Sequence, residues 1–126
     1  MIRYPFDHVD HRVRSIERVR PFYDALMPAL GYTHVDNCGS AREYYCEDDA
    51  NQFFGLHERA HHTPSETRIA FAAPSRADVD RIGALLAEIG ARAIEGPQDC
   101  PDYIQPYYAV FFEDPDGNKL EVCCRR

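Results

Sequence analysis

The sequence predicts an α+β fold built from two βαβββ modules. Three observations predict it. An alternating strand pattern followed by a helical pattern occurs at His8 and again at Arg68, 60 residues later. Further short strand patterns follow each helical pattern. The chain closes on two apolar runs that flank a turn at residues 114–118, which is typical of a β-hairpin. We expect one domain, residues 1–126, with module one at 1–63 and module two at 64–126.

The first predicted strand has an unusually polar face. Residues 6–13 read FDHVDHRV, so Val9 and His11 share one face while His8 and Asp10 share the other. We expect the valine face to pack against the following helix, with His11 as a hydrogen-bonded histidine of the core. The predicted strand is therefore half-buried, and its second face carries charged and histidine side chains.

The rest of the first module follows from helical spacing and turn residues. Ser15 is expected to cap a helix whose apolar side chains recur at helical spacing, and Gly31 is expected to end it. Pro21 falls inside this pattern, which predicts either a later helix start or a kink. Three short strands then follow, at residues 32–36, 41–47 and 52–57, with a turn at 48–51.

The second module repeats this order. Residues 67–73 predict a strand, and Ser75 opens a helix that Gly90 ends. Residues 92–95 predict a short strand. Residues 96–106 are rich in proline and acidic side chains, which predicts a loop before the closing hairpin.

The closing hairpin carries a carboxylate whose surroundings decide the functional prediction. Pro115 and Gly117 favour a tight turn between the two strands. In the second strand, Glu121 faces away from its apolar neighbours Leu120 and Val122. A carboxylate in that position either meets solvent or lines a polar cavity, where it needs a partner.

Composition and charge argue against several classes of function. The net charge is −7, whereas a surface that binds nucleic-acid phosphates needs a basic excess. No apolar stretch approaches the ~20 residues needed to cross a bilayer, and the N-terminus lacks the apolar run of a signal peptide. We therefore predict a cytoplasmic protein that binds neither nucleic acid nor membranes. The five cysteines are irregularly spaced, which predicts free thiols and not disulfides or a zinc site.

Three segments, in this order and spacing, resemble the vicinal-oxygen-chelate superfamily of glyoxalase I, extradiol dioxygenases, and fosfomycin and bleomycin resistance proteins. They are FDHVDHRV before the first helix, TRIAF before the second, and FEDPDGNKLEV near the end. The last is the most specific, because a DPDGN turn followed by a Leu-Glu-Val strand is common in this family. The resemblance covers nearly the whole chain. It implies that the two modules form an open, cup-shaped mixed sheet with helices outside, and that the chain forms a homodimer, as many members do.

The resemblance also implies a divalent-metal site, which this chain matches in part. His8 takes the position of the first metal ligand and Glu121 that of the glutamate in the last strand, a pair that suits Fe, Mn, Ni or Zn. Arg68 stands where a histidine usually precedes Ile-Ala-Phe, and a guanidinium has no lone pair to donate. Gly55 stands at the position of the acidic ligand of four-ligand members and has no side chain to ligate with. His57, two residues along on the same face, could substitute only if the strand is shifted. The alternative is that His8 and Glu121 are polar cavity residues without a metal.

Arg68 allows a second interpretation of the site. Its guanidinium could pair with Glu121 and occupy the place of the metal. It could instead hold an anionic or oxygen-rich ligand. Rotation of the side chain outward into solvent is the remaining alternative.

Two classes of function therefore stay open. The first is a metal-dependent lyase, isomerase or dioxygenase acting on a small oxygen-rich or electrophilic molecule. The second is a metal-free, resistance-type protein that sequesters a small ligand, with Arg68 replacing the metal-ligand histidine. A tyrosine hydroxyl near the cavity can act as an acid or a hydrogen-bond donor. The candidate residues are Glu121 and Tyr108 for catalysis, Arg68, His57, Tyr107 and Asp10 for ligand binding, and His8 and Glu121 for metal binding.

Overall fold

The computed structural model describes residues 1–2 and 5–126, and the side chains of all of these except 49–51. Within that part of the chain, two helices and eight strands form two compact units, Met1–His62 and Thr63–Arg126. Each unit holds one helix and one four-stranded mixed sheet, so the predicted α+β class with two βαβββ modules is confirmed. Neither of these helices is long and apolar enough to cross a membrane.

The two units share one topology. In the first, the strand order is β1-β4-β3-β2, and β1 pairs parallel with β4 while the other pairs are antiparallel. In the second, the order β5-β8-β7-β6 repeats this arrangement. The elements are β1 His8–Val13, α1 Ile16–Ala29, β2 His34–Cys38, β3 Ala41–Cys46, β4 Asp49–Glu58, β5 Arg68–Ala72, α2 Arg76–Ile89, β6 Arg92–Asp99, β7 Tyr108–Glu113 and β8 Lys119–Cys124.

Both helices begin at the predicted serine caps. The Ser15 hydroxyl accepts a hydrogen bond from the backbone N–H of Arg18 at 3.3 Å, and Ser75 caps α2 in the same way. The helix α1 begins at Ile16 and continues through Pro21, so the later start that was one of the predicted alternatives is wrong. The helix α2 ends at Gly90, whose φ of 90° is a conformation that glycine adopts without steric cost.

Each helix covers one face of its own sheet and leaves the other face for polar side chains. Fully burying a large apolar side chain contributes about 1.5–3 kcal/mol, so these faces form the core of each unit. The prediction for His11 is confirmed, because it is buried and its Nε2 lies 3.0 Å from the Tyr23 hydroxyl. The helical residues buried are Val19, Phe22, Tyr23, Leu26 and Met27 in α1 and Val79, Ile82 and Leu86 in α2.

Three strands extend beyond their predicted bounds. The strand β2, expected at residues 32–36, lies two residues later, at His34–Cys38. The strand β6 continues through Pro97 to Asp99, although residues 96–106 were expected to form a loop. It is an edge strand with two register shifts against β7, and a proline is tolerated at such a place. Gly83 of α2 makes room for this proline, since a Cβ at Gly83 would lie 2.7 Å from the Pro97 Cγ. Similarly, β4 begins at Asp49 because the turn after β3 is confined to residues 47–48.

The β7–β8 hairpin is built around the buried carboxylate of Asp114. Its Oδ1 accepts hydrogen bonds from the backbone N–H groups of Asp116 and Asn118, each at 2.9 Å. Its Oδ2 accepts from the side-chain amide of Asn118 at 2.8 Å. These bonds close the predicted turn and favour the register that places Phe111 opposite Glu121.

We expect Asp114→Ala to lower the free energy of unfolding by more than about 3 kcal/mol. Three N–H groups would lose their acceptor in a buried turn, and hydrogen bonds to a charged group contribute about 1.5–3 kcal/mol each. Urea denaturation provides the measurement. Glu66→Ala, which removes an exposed carboxylate of the same unit, is the control and should change stability little. Equal effects of the two substitutions would contradict this account of the turn.

Candidate functional site

One face of the second sheet brings several candidate residues together. Alternation along β5, β7 and β8 places Arg68, Phe111 and Glu121 on the face that points away from α2. Tyr107, directly before β7, reaches the same face because its hydroxyl donates a hydrogen bond to the Glu121 Oε2. The structure thus gathers Arg68, Tyr107 and Glu121, which were predicted from the sequence, on a single sheet face.

Glu121 is a buried carboxylate with a tyrosine as its partner. Its residue surface is 3% exposed, so the partner that the sequence required is supplied by Tyr107. Burial, and then the hydrogen bond to Glu121, raise the pKa of the Tyr107 hydroxyl far above its ordinary value. Tyr107 therefore stays protonated at neutral pH and remains a hydrogen-bond donor to the carboxylate.

The guanidinium of Arg68 is held over the sheet by two contacts. Its Nη1 donates to the backbone carbonyl of Leu120 at 3.0 Å, and its Cζ lies 5.1 Å from the centre of the Phe111 ring. These contacts lay the side chain across β8 towards β7, while the residue as a whole stays exposed. No ion pair among the described residues joins Arg68 to Glu121, so the predicted pairing of the two is not observed.

A cavity of about 350 Å³ lies on this face. Arg68 and Phe111 belong to its lining, while Glu121 lies beside it, opposite Phe111 in the strand register. The volume falls within the range of about 300–1,000 Å³ that is usual for small-molecule sites. The remaining charged or aromatic lining residues are Glu95, Asp99, Asp102, Tyr103, Phe112, Glu113 and Lys119.

Tyr108 lies on the opposite face of the sheet. Its hydroxyl donates to the Asp80 carboxylate of α2, and the Arg76 guanidinium lies 4.7 Å from its ring centre. The structure therefore does not bring this candidate catalytic residue together with Glu121. Successive strand residues face opposite sides, so only one of the two adjacent tyrosines can serve Glu121, and that one is Tyr107.

The remaining candidates lie together on the first sheet. The Asp10 Oδ1 is 3.1 Å from the Nε2 of His57 and 3.7 Å from the Nε2 of His8. The Nδ1 of His8 lies 2.7 Å from the Asp7 carboxylate, and its ring stacks on Phe53 with centroids 4.4 Å apart. The hydrogen bond with Asp7 is the main cause that raises the pKa of His8, because the negative charge favours the imidazolium.

The donor groups do not fit the divalent ion that the sequence resemblance implies. Arg68 offers no lone pair at the position where a histidine was expected. No group of three or more His, Cys, Asp or Glu side chains in the described part of the chain is arranged to hold a metal ion. We therefore derive no chemistry through a metal.

Of the lining residues, sequence reasoning singled out only Arg68 as a site residue, and those it missed include Phe111 and Glu95. A signal for Phe111 was present, because counting outward from the turn at residues 114–118 places it opposite Glu121. No such signal existed for Glu95, because the register shifts of β6 decide which way it faces.

Comparisons with known proteins agree with this architecture. A model of the Glyoxalase/Bleomycin resistance protein/Dioxygenase superfamily matches residues 6–122. The crystal structure of a glyoxalase/bleomycin resistance protein from Albidiferax ferrireducens T118 is 27% identical, with a TM-score of 0.77 and coverage of 96% of this chain and 98% of that one. No curated protein matches the sequence.

Two more distant structures show the fold alone. The fosfomycin resistance protein FosX from Mesorhizobium loti is 16% identical, with a TM-score of 0.68 and coverage of 98% of this chain and 93% of that one. A glyoxalase/dioxygenase from Nostoc punctiforme is 19% identical, with a TM-score of 0.69 and coverage of 100% and 97%.

We expect Tyr107→Phe to destabilise the protein by about 1–3 kcal/mol, because it leaves the buried Glu121 carboxylate without its donor. Denaturant unfolding measures the change. Tyr108→Phe is the matched control; it removes a hydrogen bond to an exposed aspartate and should have a smaller effect. If both variants unfold at the same denaturant concentration, the Tyr107–Glu121 bond has no special role.

Proposed function

Because this chain belongs to the glyoxalase/bleomycin resistance protein/dioxygenase superfamily, we propose that it binds a small molecule with an anionic or oxygen-rich group in the cavity of its second unit. The match of the family model to residues 6–122 confirms the superfamily that was predicted from the sequence. Arg68 is the anchor for the ligand, and binding does not require a metal. The proposal selects the second of the two classes that the sequence left open.

The orientation of Arg68 is the observation that carries this proposal. A guanidinium has five N–H donors in a rigid fork, and Leu120 accepts from one of its terminal nitrogens. The Phe111 ring supports its flat side. A carboxylate, phosphate or other oxygen-rich group in the cavity can therefore use the remaining donors without first ordering the side chain.

The donor set favours a binding protein over a metal-dependent lyase, isomerase or dioxygenase. Arg68 presents a permanent positive charge where such an enzyme would need a ligand with a lone pair. The name of the Albidiferax protein covers both a glyoxalase and a resistance protein, so it is compatible with either class. The choice of a binding protein over a metal-dependent enzyme therefore rests on the chemistry of Arg68.

We expect Arg68→Met to weaken binding of 4-methylbenzoate by about tenfold or more, because a hydrogen bond to a charged group contributes about 1.5–3 kcal/mol. The affinity of Arg68→Lys for 4-methylbenzoate should lie between those of Arg68→Met and the wild type, because lysine keeps the charge and lacks the planar fork. The dissociation constant is measured by titration with NMR chemical shifts as the signal, a method suited to weak ligands. Arg81→Met, which removes an arginine of α2 paired with Asp78, is the control and should leave binding unchanged.

Two outcomes would contradict the proposal. The first is unchanged binding of 4-methylbenzoate by Arg68→Met. The second is tight, stoichiometric binding of Mn, Ni, Zn or Fe(II) by the wild type in a calorimetric titration, since that would mean that the donors do fit a metal.

We propose in addition that the chain assembles as a homodimer. Each sheet, taken by itself, ends in edge strands, and proteins usually cover such edges. Three large apolar side chains, Ile2, Phe6 and Ile104, are 80%, 82% and 76% exposed. Light scattering should give twice the mass of the chain, and Phe6→Asp with Ile104→Asp should lower that mass. A single-chain mass at every concentration would contradict the dimer.

A further inference from the structure

The cavity of the second unit carries opposite charges on either side of an aromatic ring. Arg68 comes from β5 at one edge of the sheet, and Glu95 from β6 at the other edge. Phe111 lies between them. It is the register partner of Glu95, and the Arg68 guanidinium lies 5.1 Å from its ring centre. A ligand lying across Phe111 would thus meet a cation at one end and a carboxylate at the other.

Two other carboxylates of the lining have cations beside them. Asp99 forms an ion pair with Arg76 at 2.7 Å. Glu113 lies between Arg92 on β6 and Lys119 on β8 in the strand register. Asp99 is therefore compensated by an ion pair, and Glu113 has two cations as its strand neighbours.

Glu95 and Asp102 differ from these two. Neither takes part in an ion pair among the described residues, and both are exposed and belong to the cavity lining. Arg68, Glu95 and Asp102 therefore line one cavity, and none of the three takes part in an ion pair among the described residues. A purely anionic ligand would sit close to two like charges, and a purely cationic ligand would sit close to Arg68.

Aromatic side chains line the cavity between Arg68 and Glu95, and contacts with their neighbours hold them in place. The Tyr103 ring meets Phe111 edge to face, with centroids 6.2 Å apart, and lies 4.6 Å from the Tyr107 ring centre. The side-chain amide of Gln105 donates to the backbone carbonyl of Tyr103 at 3.0 Å, which holds this loop residue in place. Aromatic faces attract both apolar groups and ammonium groups.

From this arrangement we infer that the natural ligand is a small zwitterion with an apolar or aromatic middle. Its anionic group binds Arg68, its ammonium group lies near Glu95 and Asp102, and its middle packs against Phe111 and Tyr103. The inference rests on the proposed function, because it uses the same cavity and the same anchor. Beyond the proposed function, the inference specifies the charge distribution and the shape of the ligand.

Three matched probes test it on the full chain: 4-(aminomethyl)benzoate, which carries both charges, 4-methylbenzoate, which lacks the ammonium group, and 4-methylbenzylamine, which lacks the carboxylate. We expect the zwitterion to bind about tenfold tighter than either of the others in NMR titrations at neutral pH. Glu95→Gln should remove that advantage and leave 4-methylbenzoate bound as well as before, or better. Glu88→Gln, an exposed carboxylate of α2, is the matched control and should keep the advantage.

The outcomes separate the two proposals. If 4-methylbenzoate binds through Arg68 and the added ammonium group gives no gain, the zwitterion inference is overturned and the proposed function stands. A gain that survives the double substitution of Glu95 and Asp102 by their amides also overturns the inference. If no probe binds at millimolar concentration, or if Arg68→Met changes nothing, both proposals fail.

Discussion

The second unit depends on the buried carboxylate of Asp114. By accepting hydrogen bonds from Asp116 and Asn118, it closes the turn and aligns β7 with β8. That alignment sets Glu121 opposite Phe111, so one side chain of the pair reaches the Tyr107 hydroxyl and the other supports a guanidinium. The corresponding connection of the first unit, at residues 47–48, lies beside a register shift between β3 and β4. The two units thus share one strand order but differ in the turn that connects their last two strands.

The elements that the sequence predicted best are those fixed by local chemistry. Serine caps and helical spacing decide the two helices, and the DPDGN turn decides the closing hairpin, because each signal acts within a few residues. The site was harder to predict, because the register of β6 decides the orientation of Glu95. A long side chain such as Arg68 can also reach several partners from one backbone position. Which of two adjacent tyrosines serves Glu121 likewise depends on where β7 begins.

The repeat also shows how one topology supports different chemistry in its two copies. His8 and Arg68 occupy equivalent positions at the start of the first strand of each unit, and each lies over a phenylalanine ring. One is an imidazole that gains or loses a proton near neutral pH, and the other is a cation at every physiological pH. The ring under His8 comes from the paired strand β4, whereas the ring under Arg68 comes from β7, one strand further on. The fold therefore fixes the position, and the residue type fixes the chemistry.

The parallel pairing of β5 with β8 has a consequence for the order in which the second unit folds. The β7–β8 hairpin joins neighbouring residues, and such hairpins form within microseconds, on the order of 1–10 μs. Pairing Arg68 with Lys119 instead requires closure of a loop that contains α2, β6 and β7, and such non-local contacts are slow. We therefore expect the strand that carries the guanidinium to dock late. A partly folded second unit would then have its hairpin carboxylates in position before it acquires the arginine.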